Sequence, residues 1–196
     1  MTFLRYRRVL VTASISLLTL AACTTTTGSG SSPAQERAEV QRMRGETLAK
    51  LYKVQPAAQS NIQKAAGYAV FSNVGVNLIL LSAAGGSGVA HDNKTGRDTY
   101  MRMVSGGVGF GLGVKDFRGV FVFSTAGTLD QFVNSGWEAS AQADAAAKAG
   151  DKGAAAAGAV TVAPGVTLYQ LTENGLALQA TIQGTKYFKS DELNAR

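Results

Sequence analysis

From Gly107 to Val114 every odd position is glycine and every even position is apolar, in the order Gly107-Val108-Gly109-Phe110-Gly111-Leu112-Gly113-Val114. A helix repeats every 3.6 residues and a strand every two, so this period predicts a strand with side chains on one face and bare backbone on the other. A bare face lets a second backbone, a helix or a ligand come unusually close. Interiors are densely packed, which favours tight internal packing there. The functional reading is a slot that admits a lipid chain. A second stretch, Ala139 to Ala149, has alanine at every odd position and mostly polar residues between. Alanine propensity alone favours a helix, but alternation sustained over eleven residues predicts a strand.

The remaining segments supply partners for these strands. Tyr68 to Phe71, Leu78 to Leu81 and Arg118 to Phe123 are short, apolar and without helical period, which predicts strands buried on both faces. Val160 to Ala163 is a further candidate strand. Thr167 to Leu171 is expected to pair with Leu176 to Gln183 across Asn174-Gly175, a strong hairpin signal. Gly85-Gly86-Ser87-Gly88 reads as a bend or bulge, because no lysine and serine/threonine pair completes a phosphate loop. Asp92-Asn93-Lys94-Thr95-Gly96 reads as a hairpin turn, since the ligand positions of a calcium loop do not continue beyond it. Asp151-Lys152-Gly153 is another turn, and Tyr187 and Phe188 are expected to cover a sheet end.

Three helices are predicted. Ser32-Pro33-Ala34-Gln35 carries a hydroxyl cap, proline at the first helical position and glutamine three residues after the cap. The helix it opens runs to about Lys53, with Val40, Met43, Thr47, Leu48, Leu51 and Tyr52 on one side. Arg44 intrudes on that stripe and must snorkel or find a partner. The other side mixes Arg42, Lys50 and Lys53 with Glu39 and Glu46, which favours docking on a core over insertion in a membrane. A short helix follows from Pro56 through Gln63, and another spans Ala126 to Asn134 with Leu129, Phe132 and Val133 turned inward. The fold class is α+β: a strongly curved, mainly antiparallel sheet or barrel-like core with N-terminal and flanking helices.

Ahead of this domain, Arg5, Arg7 and Arg8 precede a mostly apolar run, Val9 to Leu20, and the small residues Ala21-Ala22. That order is a secretory signal. The run is shorter than the roughly 20 residues a spanning helix needs. Together with Cys23 it resembles the lipobox of bacterial lipoproteins, which implies a diacylglycerol on Cys23, cleavage before it, and stable anchoring by buried methylenes at about 0.8 kcal/mol each. Thr24 stands where that family places an inner-membrane retention aspartate, which implies the outer membrane and its periplasmic face. The chain then divides into a signal at 1–22, a Thr/Gly/Ser tether at 23–32 and a domain at 33–196.

Removing the signal takes away three arginines and no acid, so the formal charge falls from +6 to +3. Without a basic cluster interleaved with aromatics, nothing points to nucleic acid. Cys23 is the only cysteine and His91 the only histidine. Once Cys23 is acylated, disulfides, thiolate catalysis and cysteine metal sites are excluded. Zinc constellations and a Ser-His-Asp triad have little to be built from. His91 has Asp92 and Asp98 as possible partners, but a lone histidine beside a polar turn reads as a surface residue. Paired carboxylates at a defined spacing are not evident. The expectation is a non-enzymatic domain without metal or cofactor.

An ordered series of segments resembles the SYLF domain family: Lys64-Ala65-Ala66-Gly67-Tyr68-Ala69-Val70-Phe71, Gly86-Ser87-Gly88-Val89, the alternating strand at 107–113, Leu129 to Phe132, and Gly136-Trp137 with the alanine-rich stretch after it. The resemblance covers most of residues 48–196. Tyr169-Gln170-Leu171-Thr172 and Gly184-Thr185-Lys186-Tyr187-Phe188 are similar to its bacterial lipoprotein branch. Eukaryotic members bind lipid with a phosphoinositide preference, and the yeast relatives bind actin. For an envelope lacking both ligands, the resemblance implies lipid or membrane-surface binding without catalysis, and it assigns no contact residue. From chemistry alone, Lys64, Arg97, Arg102, Lys115 and Arg118 are candidates to meet phosphates. Gly107, Gly109, Gly111 and Gly113 are candidates to line a slot. The alternative is a structural or adaptor protein that holds another envelope protein.

Overall fold

The computed structural model describes residues 31–78, 81–108, 116–138, 158–172, 175–176 and 184–195. Helix α1 (Pro33–Val54) opens on the predicted reciprocal cap: the Gln35 N–H donates to the Ser32 hydroxyl at 3.3 Å, and the Ser32 N–H donates to the Gln35 side chain at 2.9 Å. Helix α2 (Ala57–Lys64) leads into four long strands: β1 (Gly67–Leu78), β2 (Leu81–Asp92), β3 (Asp98–Val108) and β4 (Asp116–Phe123). Helix α3 (Ala126–Asn134) follows, then β5 (Trp137–Glu138), β6 (Ala159–Ala163), β7 (Val166–Thr172), β8 (Gly175–Leu176), β9 (Thr185–Lys189) and helix α4 (Asp191–Asn194).

The strands form one sheet in the order β5-β9-β3-β2-β1-β4-β7-β6, with β8 on β7, and every ladder is antiparallel. Neighbouring strands lie about 4.8 Å apart, so a flat sheet would separate β4 from β5 by roughly 24 Å. Phe121 on β4 and Trp137 on β5 instead have ring centroids 5.7 Å apart, and Phe121 lies 5.1 Å from Tyr187 on β9. The sheet is therefore strongly curled, as the sequence predicts, and its aromatic face is concave.

Period-two alternation puts a separate core on each face. On the concave face, Phe71, Phe121, Phe123, Met101, Met103 and Tyr187 close around Leu129, Phe132 and Val133 of α3. On the other, Tyr68, Val70, Val120, Val122, Tyr169 and Leu171 are covered by Leu51 of α1 and by Ala58 and Ile62 of α2. Tyr68 to Phe71 and Val120 to Phe123 are thus buried on both sides, as predicted.

Four local expectations need correction. Leu78 and Leu81 are cross-strand partners, so the apolar run between them joins the ends of β1 and β2 and is not one strand. Gly85 to Gly88 make no bend or bulge; they keep an unbroken register with both β1 and β3. The predicted hairpin forms, with Leu171 opposite Leu176, but Gly175 lies in β8 opposite Thr172 and not in the turn. Tyr187 and Phe188 do not cap a sheet end but sit inside β9, where Tyr187 is fully buried. The Asp92–Gly96 turn is a hairpin, held by the Asp92 carboxylate accepting from the Lys94 and Thr95 N–H groups at 2.8 and 3.0 Å. Those bonds, Thr95 first, keep Asp92 below the usual carboxylate range. The alternating run beyond Val108, the run at 139–149, the turn at 151–153, residues 177–183 and everything before Ser31 lie outside the described residues.

Candidate functional site: a glycine-floored groove under the first helix

On the α1 side of the sheet, the register stacks Ser72, Ser87, Arg102 and Phe188 in one row across β1, β2, β3 and β9. Beyond it on β2 and β3 come Gly85 and Val104, which are partners. A Cβ built on Gly85 would meet nothing within 4 Å. This position is a bare strand face of the kind the sequence predicts for 107–113, a segment that lies mostly outside the described residues. A groove of about 850 Å³ opens here between the sheet and the N-terminal half of α1. Gly85 and Gly86 form its floor, and Val40, Met43, Val104 and Phe188 supply apolar walls. Its volume lies within the roughly 300–1,000 Å³ of small-molecule sites. Val104 is 48% exposed and Phe188 36%, so the groove opens to solvent along an apolar lip.

The polar end of the groove is Glu36, Ser87 and Arg102. The Arg102 guanidinium grips the Glu36 carboxylate with both nitrogens, Nη2 donating to Oε2 at 3.0 Å and Nη1 to Oε1. Ser87 donates to Glu36 Oε1 at 2.8 Å and accepts from Arg102 Nη1 at 3.1 Å. Glu192 of α4 adds a carboxylate 3.5 Å from Arg102 Nη2. A planar bidentate pair of this kind is geometrically specific.

A second polar cluster holds the middle of α1. Asp98 accepts from Arg44 at 2.9 Å, from Gln41 at 2.8 Å and from His91 Nδ1 at 2.6 Å. Arg44 thus finds the partner its place in the apolar stripe requires. Burial raises the Asp98 pKa, but the His91 and Gln41 hydrogen bonds and the Arg44 charge outweigh it and leave the carboxyl below its ordinary value. His91 is not the surface residue expected: its side chain is 23% exposed, bonded to Asp98 and packed 5.2 Å from the Tyr68 ring.

The cation candidates are dispersed. Arg102 alone lines the groove, and it already holds Glu36. Arg118 on β4 reaches Glu46 of α1 at 3.3 Å and the Thr47 hydroxyl at 3.4 Å. Arg97 lies across the sheet in a pocket of about 150 Å³ with Asp92, Thr99 and Asp130. Lys64 is exposed in the last turn of α2. Gly107 lies opposite Ser82 in β3. Lys115, Gly109, Gly111 and Gly113 lie outside the described residues. Glu36, Gly85, Val104 and Phe188 were not foreseen; the only signal for them was the glycine run at 85–88, which fits a bend equally well. Among the described residues, no three His, Cys, Asp or Glu side chains gather as a metal site, and no helix is long and apolar enough to cross a membrane.

The chain is similar to beta cell expansion factor A of Aeromonas veronii, with 35% identity over 159 residues. The match takes in 81% of this chain and 59% of that relative, so the chain spans less than two thirds of its length. No protein-family model matches the sequence.

Proposed function

We propose that this chain is a non-catalytic, SYLF-type lipid-binding domain of the bacterial lipoprotein branch, anchored through acylated Cys23 to the periplasmic face of the outer membrane. In this reading the groove under α1 takes an acyl chain of a phospholipid, with the headgroup at the Arg102 end. The observation that carries it is the floor. Gly85 leaves open space where any other residue would fill it, beside the exposed apolar side chains of Val104 and Phe188. Apolar burial supplies the affinity at about 25 cal/mol per Å², and the polar end orients the ligand. The ordered resemblance to SYLF segments supports the same reading.

The test is to replace the floor. Gly85→Leu puts an isobutyl group into open space, so the sheet keeps its register while the groove fills. Chain purified in mild detergent is stripped of lipid and incubated with 11-(dansylamino)undecanoic acid. Wild type is expected to raise the dansyl emission saturably, and Gly85→Leu to lose at least tenfold in affinity at unchanged circular dichroism. Equal binding by the two proteins refutes the site. Absence of binding by wild type, together with no phospholipid in mass spectra of what co-purifies, refutes the function and leaves the adaptor reading.

A further inference from the structure

The two halves of α1 are held by different forces. From Pro33 to Arg44 only Val40 is buried. Met43 packs at the edge of the apolar core, and the rest of that half is fixed by polar contacts: Glu36 to Arg102 and Ser87, Arg37 to the Leu193 carbonyl at 3.2 Å, Gln41 to Asp98 and the Tyr100 hydroxyl, and Arg44 to Asp98. From Glu46 onward, Thr47 and Leu51 are fully buried, and Leu48 and Tyr52 pack on the apolar core that α2 also covers. Gly45 separates the halves. It is exposed, its φ is helical, and a Cβ there would meet nothing within 4 Å. Neither backbone conformation nor close packing calls for glycine at this position. Its remaining physical effect is to weaken the helix where the polar-held half meets the apolar-held half.

We propose that residues 33–44 are a lid over the groove, hinged at Gly45 and latched by the Glu36–Arg102 and Arg44–Asp98 pairs. The lid carries Glu36, Glu39, Val40 and Met43 of the groove lining, so lifting it opens the site along that wall. This inference rests on the groove being the ligand site, but its first readout does not. Local opening draws on segments with few buried apolar contacts, and this half of α1 is such a segment.

The experiment compares the full wild-type chain with Gly45→Ala, whose methyl enters open space, and with Gly127→Ala, a helical glycine in α3 that also faces open space. Restoring alanine propensity at the hinge is expected to slow amide exchange of residues 37–44 about fivefold. Capture and release of 11-(dansylamino)undecanoic acid should slow by the same factor, with equilibrium affinity unchanged. Moving from 0.15 M to 1 M NaCl should speed wild-type exchange in that segment, because the latching pairs are partly exposed and screened. Unchanged exchange in Gly45→Ala, or an equal slowing in Gly127→Ala, overturns the hinge. Slowed exchange with unaltered capture overturns the lid. Wild type that takes up no probe at all refutes the ligand reading, while the exchange ratio still decides the hinge.

Discussion

Gly85 and Gly88 sit three residues apart on β2 and are both glycine, yet the structure gives them opposite tolerances. A Cβ on Gly88 would lie 2.3 Å from the Phe71 ring and 2.5 Å from the Val70 carbonyl oxygen. The oxygen belongs to the β1 backbone, which is hydrogen-bonded on both sides to β2 and β4 and cannot withdraw. The ring is fully buried and packed 4.8 Å from that of Tyr187. Overpacking a filled core costs about 1–3 kcal/mol, and a conflict with backbone belongs at or above the upper end. For a domain of this size each kcal/mol moves Tm by about 2–4 °C, so Gly88→Ala is expected to melt at least ~6 °C lower. Gly85→Ala meets open space in extended backbone and reduces only the freedom of the unfolded chain. It should gain about 0.4–1 kcal/mol, or roughly 1–4 °C. The assay is a thermal melt followed by near-ultraviolet circular dichroism, which reports the aromatic core beside Gly88. Equal melting of the two variants, or a lower Tm for Gly85→Ala, refutes the assignment of one glycine to close packing and the other to an open floor.

Two further predictions concern polar groups. Asp98 has a folded-state pKa below its unfolded value of about 3.9, so its contribution is present above that pH and fades as pH falls through the lower folded value. Asp98→Asn should therefore lose about 1 kcal/mol at pH 7, a figure discounted for the partial exposure of the Arg44–Asp98 pair. The gap to wild type should shrink toward zero in urea titrations near pH 3, and a gap that widens in acid sinks the argument. The Tyr187 hydroxyl is buried with no hydrogen-bond partner among the described residues, and burial pushes its pKa far above the ordinary phenol range. Tyr187→Phe removes a desolvated group without opening a cavity and should be neutral or stabilising by about 1 kcal/mol in the same titration. A loss beyond 1 kcal/mol would show that the hydroxyl is satisfied.

Much of the architecture was legible because it follows from period and punctuation. Ser32, Pro33 and Gln35 announced the start of α1 to the residue, and double-sided apolar runs announced the central strands β1 and β4. The strand-and-turn rhythm announced antiparallel pairing. What escaped were the features that depend on neighbours far away in sequence. Leu78 to Leu81 has the composition of a strand, and only its pairing shows two strand ends. Tyr187 resembled a residue covering an edge because nothing local reveals that the curl carries β9 under Phe71 and Phe121. Glycine is the hardest residue to read in sequence: Gly85 exists to leave space and Gly88 because space is already taken, and the letters are the same. The site shared that ambiguity. Its floor looked like a bend, and its cation, Arg102, was one of several scattered bases until the fold set Glu36 beside it.

The two faces of the sheet divide rigidity from access. On the concave face, aromatic rings on β1, β4, β5, β9 and α3 meet at centroid distances between 4.8 and 6.3 Å. Each such pair adds about 0.5–1.5 kcal/mol beyond the area it buries. Strands distant in the sheet order are thereby tied together, and the curl is fixed by contacts that no small motion can break singly. The other face is covered by α2 and by α1, which has three buried residues in its 22 and an N-terminal half held largely by polar contacts. In the proposed reading a molecule entering from that side meets a floor already held in shape from behind, and admitting it requires the polar contacts of residues 33–44 to open and Val40 and Met43 to lift with them. On that same reading, the asymmetry puts the ligand on the face away from the aromatic core.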